Sequence, residues 1–178
     1  MSVVAKFKRT ATITFRIDKE LLNKLRLESE NQEVSTNTLA GQAFKRFLEW
    51  DVYQPKIGFV GITKSVFIKI FENLTEAEVT RLACTMGKDD ARDMALFMKG
   101  KIDVESFMAW FEMQMINSSV QTSHIVENTT HTYVMKHDLG KNWSLYHKTI
   151  LEIIFGKMFN IKPELNCSAR TITLRYAQ

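Results

Sequence analysis

Polar and apolar residues change period several times along this chain. Residues 10–17 alternate, with Ile13, Phe15 and Ile17 on one side and Thr12, Thr14 and Arg16 on the other. A period of two predicts a strand. From Asp18, a good helix N-cap, the spacing becomes helical, with Leu21, Leu22 and Leu25 on one stripe. Residues 31–34 interrupt it. Ser35 then caps a second predicted helix whose stripe is Leu39, Ala43, Phe44, Phe47 and Leu48. Gly41 lies inside this helix, where glycine costs about 1 kcal/mol against alanine, so a close helix crossing is expected there.

Pro55, Gly58 and Gly61 mark a link over 53–63. Helical stripes follow. Val66, Phe67, Ile70 and Phe71 form the first. Thr75 with Glu78 makes a capping box ahead of Val79, Leu82 and Ala83. Met94, Phe97 and Met98 form the third, and Asp103 caps a fourth helix carrying Phe107, Met108, Trp110 and Phe111. The period then returns to two. Residues 120–126 and 131–137 read as strands joined by a turn at 127–130. A helix over about 142–159, a short strand at 164–167 and a final strand bearing Ile172, Leu174 and Tyr176 complete the chain. The predicted class is α+β: one strand and two helices in domain 1–52, a linker at 53–63, then a domain at 64–178 with a mainly helical block and a small antiparallel β-β-α-β unit.

Composition narrows the function classes. Two cysteines, Cys84 and Cys167, are too few for a disulfide framework, and residues 1–9 carry no hydrophobic signal core; both point to the cytoplasm. No apolar run reaches the length of a membrane span, so no membrane partner is expected. The net charge of +4 says little by itself, but its placement matters: Lys6, Lys8, Arg9 and Arg16 all precede the first acid, Asp18. There is no nucleophile elbow, no His-Glu-x-x-His pair and no phosphate-cradling glycine loop. Asp89, Asp90 and Asp93 sit at a helix start, where acids offset the dipole. Neither an enzyme nor a cofactor is expected.

A lone strand cannot satisfy its own backbone groups, and one strand with two short helices buries too little to fold alone. Both problems disappear if two copies pair their strands antiparallel and pack four helices together. The segments "TITFRIDKELLNKL" and "EVSTNTLAGQAFKRFL" resemble the ribbon-helix-helix repressors of the Arc, MetJ and CopG type over residues 10–49. The resemblance implies an obligate homodimer, or a higher homo-oligomer, that lays a two-stranded ribbon in the major groove of double-stranded DNA. Thr12, Thr14 and Arg16 would then face base edges. In the family the start of the second helix clamps the DNA backbone, and Ser35, Asn37 and Thr38 match that position. The residues agree independently: no carboxylate lies between Glu33 and Glu49, which leaves the helix N-terminus open to phosphate. Lys6, Lys8 and Arg9 would add salt-dependent phosphate contacts. The alternative is a ribbon-helix-helix used only for dimerisation, or as an antitoxin-type interaction module.

The second part has three candidate roles. Met86, Met94, Met98, Met108, Met113 and Met115, interleaved with Phe97, Phe107, Trp110 and Phe111, can line an adaptable pocket for a small-molecule effector; helical spacing favours an ordinary core. The stretch "HDLGKNWSLYHKTILEIIF" over 137–155 resembles V4R-type and heme-nitric-oxide-type sensor domains, which implies an α+β sensor module. His131 and His137 share a strand face with Tyr133 and Met135, near His124 and His147, and are the metal candidates, with Cys84 or Cys167 as a completing ligand; no close Cys/His pairing of a zinc site is present, and His137-Asp138 beside Gly140 reads more easily as a turn and helix cap, so no metal is expected. Finally, this part can join dimers into tetramers, with the last strand, "TITLRYA", adding to a neighbouring sheet.

Overall fold

A computed structural model describes residues 10–177, apart from the side chain of Met86. The chain divides into two compact units, Met1–Leu48 and Glu49–Gln178.

In the first unit the capping signals act as expected. The Asp18 carboxylate accepts from the N–H groups of Glu20 at 2.7 Å and Leu21 at 3.2 Å, starting α1 (Lys19–Asn31). The chain then reverses through Glu33, whose φ of 54° is left-handed, while Val34 N–H reaches back to the Ser29 carbonyl at 3.0 Å. Ser35 Oγ accepts from Thr38 N–H at 3.0 Å and opens α2 (Thr36–Arg46). Ser29 Oγ lies 2.8 Å from the Arg26 carbonyl and 3.2 Å from Thr36 Oγ1, which pins the second helix start to the first helix end.

Two expectations fail here. No strand forms at 10–17; this segment carries no regular secondary structure. A strand exists through its neighbour's hydrogen bonds, and among the described residues these have no neighbouring strand. Nor does a close crossing explain Gly41: a Cβ built there meets nothing within 4 Å.

The second unit begins inside a π-helical turn, Phe47–Asp51. Trp50 is buried, and Tyr53 and Ile57, the N-cap and the last residue of the short α3 (Gln54–Ile57), pack on the same core. Part of the expected link is therefore built into this unit. Helices α4 (Lys64–Glu72), α5 (Glu76–Leu82), α6 (Lys88–Lys99) and α7 (Val104–Asn117) follow. The Thr75–Glu78 capping box closes in both directions, and Asp103 Oδ1 accepts from Ser106 N–H at 2.8 Å. Lys101, and then that N–H, hold the Asp103 carboxyl down at about 2. Strands β1 (Gln121–Glu127) and β2 (Thr130–Lys136) form a hairpin, α8 (Lys141–Lys157) crosses, and β3 (Glu164–Cys167) and β4 (Thr171–Ala177) finish an antiparallel sheet of order β1-β2-β4-β3.

That order rules out one expectation. The last strand lies between β2 and β3, so its backbone is already paired on both sides and cannot extend a neighbour's sheet; the free edges belong to β1 and β3.

The inner sheet face supplies Tyr133, Met135, Ile172, Leu174 and Tyr176, all buried. With Phe107, Trp110, Phe111, Leu151, Ile154 and Phe155 of α7 and α8 they form one continuous core. Phe107 stands at its centre, its ring within 6.4 Å of Trp110, Phe111, Phe155 and Phe159. A second π-helical turn, Ala83–Gly87, runs against α8. A Cβ at Gly87 would lie 2.6 Å from Tyr146 Oη and 2.7 Å from Ile150 Cδ1, so any side chain there would force Tyr146 and Ile150 to move. Asn142 Nδ2 donates to the Phe71 and Leu74 carbonyls at 2.8 and 2.7 Å, satisfying groups that the end of α4 would otherwise leave bare. No helix among the described residues is long and apolar enough to cross a membrane.

Candidate nucleic-acid interface

The residues expected to read DNA all stand in solvent. Thr12, Thr14 and Arg16 are exposed, as are Ser35, Asn37 and Thr38. Lys6, Lys8 and Arg9 lie outside the described residues. At the head of α2 no acid occupies the first turn. Ser35 Oγ and Thr38 Oγ1 are 2.7 Å apart, so these two hydroxyls already bond each other, and the Asn37 amide is the polar side chain left uncommitted among the described residues. The helix end thus offers backbone N–H groups, one carboxamide and an uncompensated positive dipole end. No hydrogen bond or ion pair among the described residues joins this end to Thr12, Thr14 or Arg16.

The apolar side of the same unit is equally exposed. Ile13 keeps 71% of its surface, Phe15 54%, Ile17 43%, Leu21 56%, Phe44 48% and Leu48 64%. The only buried residue in α1 and α2 is Ser29. Phe15 does meet Phe44, with ring centroids 5.3 Å apart.

In the second unit the two metal candidates separate. His131 lies beside His124, with Nε2 of His124 3.1 Å from Nδ1 of His131. His137 stands past the end of β2 in another environment. Its Nδ1 accepts from Leu139 N–H at 3.2 Å, which places the ring proton on Nε2, facing Ser144 Oγ at 2.8 Å. A histidine in that tautomer donates to the serine and cannot serve it as a base, and Ser144 is fully buried, so the pair ties β2 to α8. His147, also buried, bonds the Trp143 carbonyl through Nδ1 at 3.1 Å. Burial lowers the pKa of His137 and brings that of His147 down to about 4, which keeps both neutral. Among the described residues no three His, Cys, Asp or Glu side chains gather as metal ligands do; Cys84 and Cys167 are free and exposed.

The methionines expected to line a pocket belong largely to the core: Met98, Met108 and Met115 are buried, and Met94 and Met113 pack against it. Two hollows open at the surface instead. One of about 360 Å³ is lined by Glu152, Gly156, Asn160, Ile161, Lys162 and Pro163. Another of about 420 Å³ lies among Ile57, Asp90, Asp93, Met94 and Phe97.

Sequence reasoning named His124 only in passing and missed Glu112. The signal was present in the hairpin: once the turn falls at Asn128 and Thr129, His124 stands opposite Tyr133 and therefore diagonal to His131. Comparison of the sequence with protein-family models gives no match, and comparison with curated proteins gives none either.

Proposed function

We propose that this chain is a sequence-specific DNA-binding transcription regulator that works as a homodimer. Residues 10–17 of two copies pair into an antiparallel ribbon, and Thr12, Thr14 and Arg16 meet base edges in the major groove. One observation carries the reading: the first unit leaves apolar side chains unburied, while residues 10–17 and α2 carry no acid. Ile13, Phe15, Ile17, Leu21, Leu27, Phe44, Phe47 and Leu48 are each at least 43% exposed. Covering what remains of such side chains is worth about 1 kcal/mol each, a term that a two-helix unit needs and one chain leaves unrealised.

A second copy fits that surface because the missing strand partner and the missing apolar cover are then supplied together. Arg16 would donate in a fork to guanine, and the threonines would bond or touch thymine methyls. The α2 N-terminus would hold phosphate, and Lys6, Lys8 and Arg9 would add to the salt dependence. The second unit would carry an effector response or join dimers.

The test is DNA selection with the full chain, followed by binding of the selected and a scrambled duplex across salt. Arg16→Ala is expected to lose about 1–3 kcal/mol on the selected duplex and little on the scrambled one. If wild type prefers no sequence yet sediments as a dimer, the unit is a dimerisation or antitoxin-type module. If wild type is monomeric, both readings fail.

A further inference from the structure

Four aromatic rings lie nearly parallel on the β1 side of the sheet's inner face. His124 stacks on Tyr133 at 3.9 Å and 8°, and His131 stacks on Tyr176 at 5.1 Å and 11°. The two imidazoles stand beside each other, centroids 5.1 Å apart, with Nε2 of His124 facing Nδ1 of His131 at 3.1 Å. The opposite nitrogen of His124, Nδ1, faces Glu112 Oε1 of α7 at 4.0 Å.

We infer that His124 and His131 form a binding site for a borderline divalent transition ion of the zinc and copper class, with Glu112 as the carboxylate that orients His124. Three observations carry this. Two metal–nitrogen bonds of about 2.0–2.1 Å span about 2.9 Å at a right angle and about 3.4 Å at the tetrahedral angle. The observed 3.1 Å separation falls between these, so an ion can stand where the pair otherwise shares a proton. A metal-bound histidine usually turns its other nitrogen to a carboxylate, and Glu112 stands on that side of His124 at 4.0 Å, close enough to accept its N–H only after a small side-chain shift. The site is also reachable: the His124 and Glu112 side chains keep 30% and 34% of their surface.

The rings are held where they are by buried neighbours. Tyr133 and Tyr176 are each 4% exposed, and they fix the imidazoles by stacking instead of by chelation. Two imidazoles favour zinc, copper, nickel or cobalt over magnesium or calcium. With no third His, Cys, Asp or Glu ligand gathered among the described residues, water fills the remaining positions and the site stays open. This inference does not rest on DNA binding, and either can fail without the other.

The experiment is calorimetric titration of the full chain with zinc and with copper(II), repeated on His124→Gln, on His124→Ala with His131→Ala, on Glu112→Gln, and on Cys84→Ser with Cys167→Ser. One ion per chain is expected for wild type and for the serine variant. Loss of at least about tenfold in affinity is expected for the histidine variants, and about tenfold for Glu112→Gln. His124→Gln guards against misfolding, because that side chain is at the surface. Imidazole resonances of wild type give a second readout: copper(II) should broaden those of His124 and His131 before those of His137 and His147. Absence of binding by wild type, equal binding by folded histidine variants, or loss confined to the serine variant would each overturn the site and leave a simple imidazole–imidazole hydrogen bond.

Discussion

The two units of this chain handle apolar surface in opposite ways. The second unit folds its sheet against α7 and α8 and hides Phe107, Trp110, Phe111, Met135, Ile172 and Leu174 at 2% exposure or less. The first has comparable side chains, Phe15, Phe44, Phe47 and Leu48, and leaves each about half exposed or more. Both follow the same periodic rules, so the difference lies in where the complementary surface comes from. One unit carries its own; the other, among its described residues, leaves its apolar side chains uncovered, and the proposed dimer would cover them.

The sharpest break would come in the second unit's core. Phe107→Ala should cost about 3–5 kcal/mol, and the melting temperature should fall by the same amount at every protein concentration. A concentration-dependent loss would mean that this unit too depends on a partner. Next in size is the effect of acid. His147 is neutral when folded, with a pKa of about 4, whereas an unfolded histidine titrates near 6.5. The unfolded state alone takes up that proton between these values. Stability should therefore be constant above about pH 7 and fall as pH drops from 6.5 toward 4, by roughly 3 kcal/mol in all. His137, lowered for the same reason, adds to the same slope. Chemical denaturation at stepped pH measures it, and a flat profile would contradict the buried neutral histidines.

In the first unit the expected effects are smaller and depend on concentration. Phe15→Ala should weaken self-association by about 1–2 kcal/mol per chain, read by sedimentation, while the unfolding of the second unit is unchanged. Smallest, but decisive in sign, is Gly41→Ala. In a solvent-facing helix it should stabilise by about 1 kcal/mol. If the open space around Gly41 is filled by the second copy's helix, alanine should instead weaken the dimer.

Local signals were the legible part of this sequence. Asp18, Ser35, Thr75 and Asp103 cap helices because each side chain reaches an N–H two or three residues ahead, which needs no knowledge of the rest of the chain. Strands β1 to β4 were readable from alternation for the same reason. What depended on distant packing was not. Helical spacing alone cannot distinguish a core from a pocket lining, so Met108 and Met115 could suggest an effector site while lying at the bottom of the core. His131 and His137 share a strand face by period, yet the hairpin register brings His131 to His124, and the loop before α8 draws His137 to Ser144. Gly87 gave no signal at all, because its reason is the tyrosine of a helix some sixty residues later. The alternation of 10–17 was readable, yet no strand forms there; the proposed ribbon would need a second copy to supply its partner.

Hydrogen exchange of the backbone amides over 10–17, followed in the full chain as its concentration is raised, tests the shared ribbon most directly. Ladder pairing between two copies requires alternate amides in this segment to become protected, in step with the appearance of the dimer in sedimentation. A chain that stays monomeric, or a dimer whose 10–17 amides all exchange at unprotected rates, would contradict it.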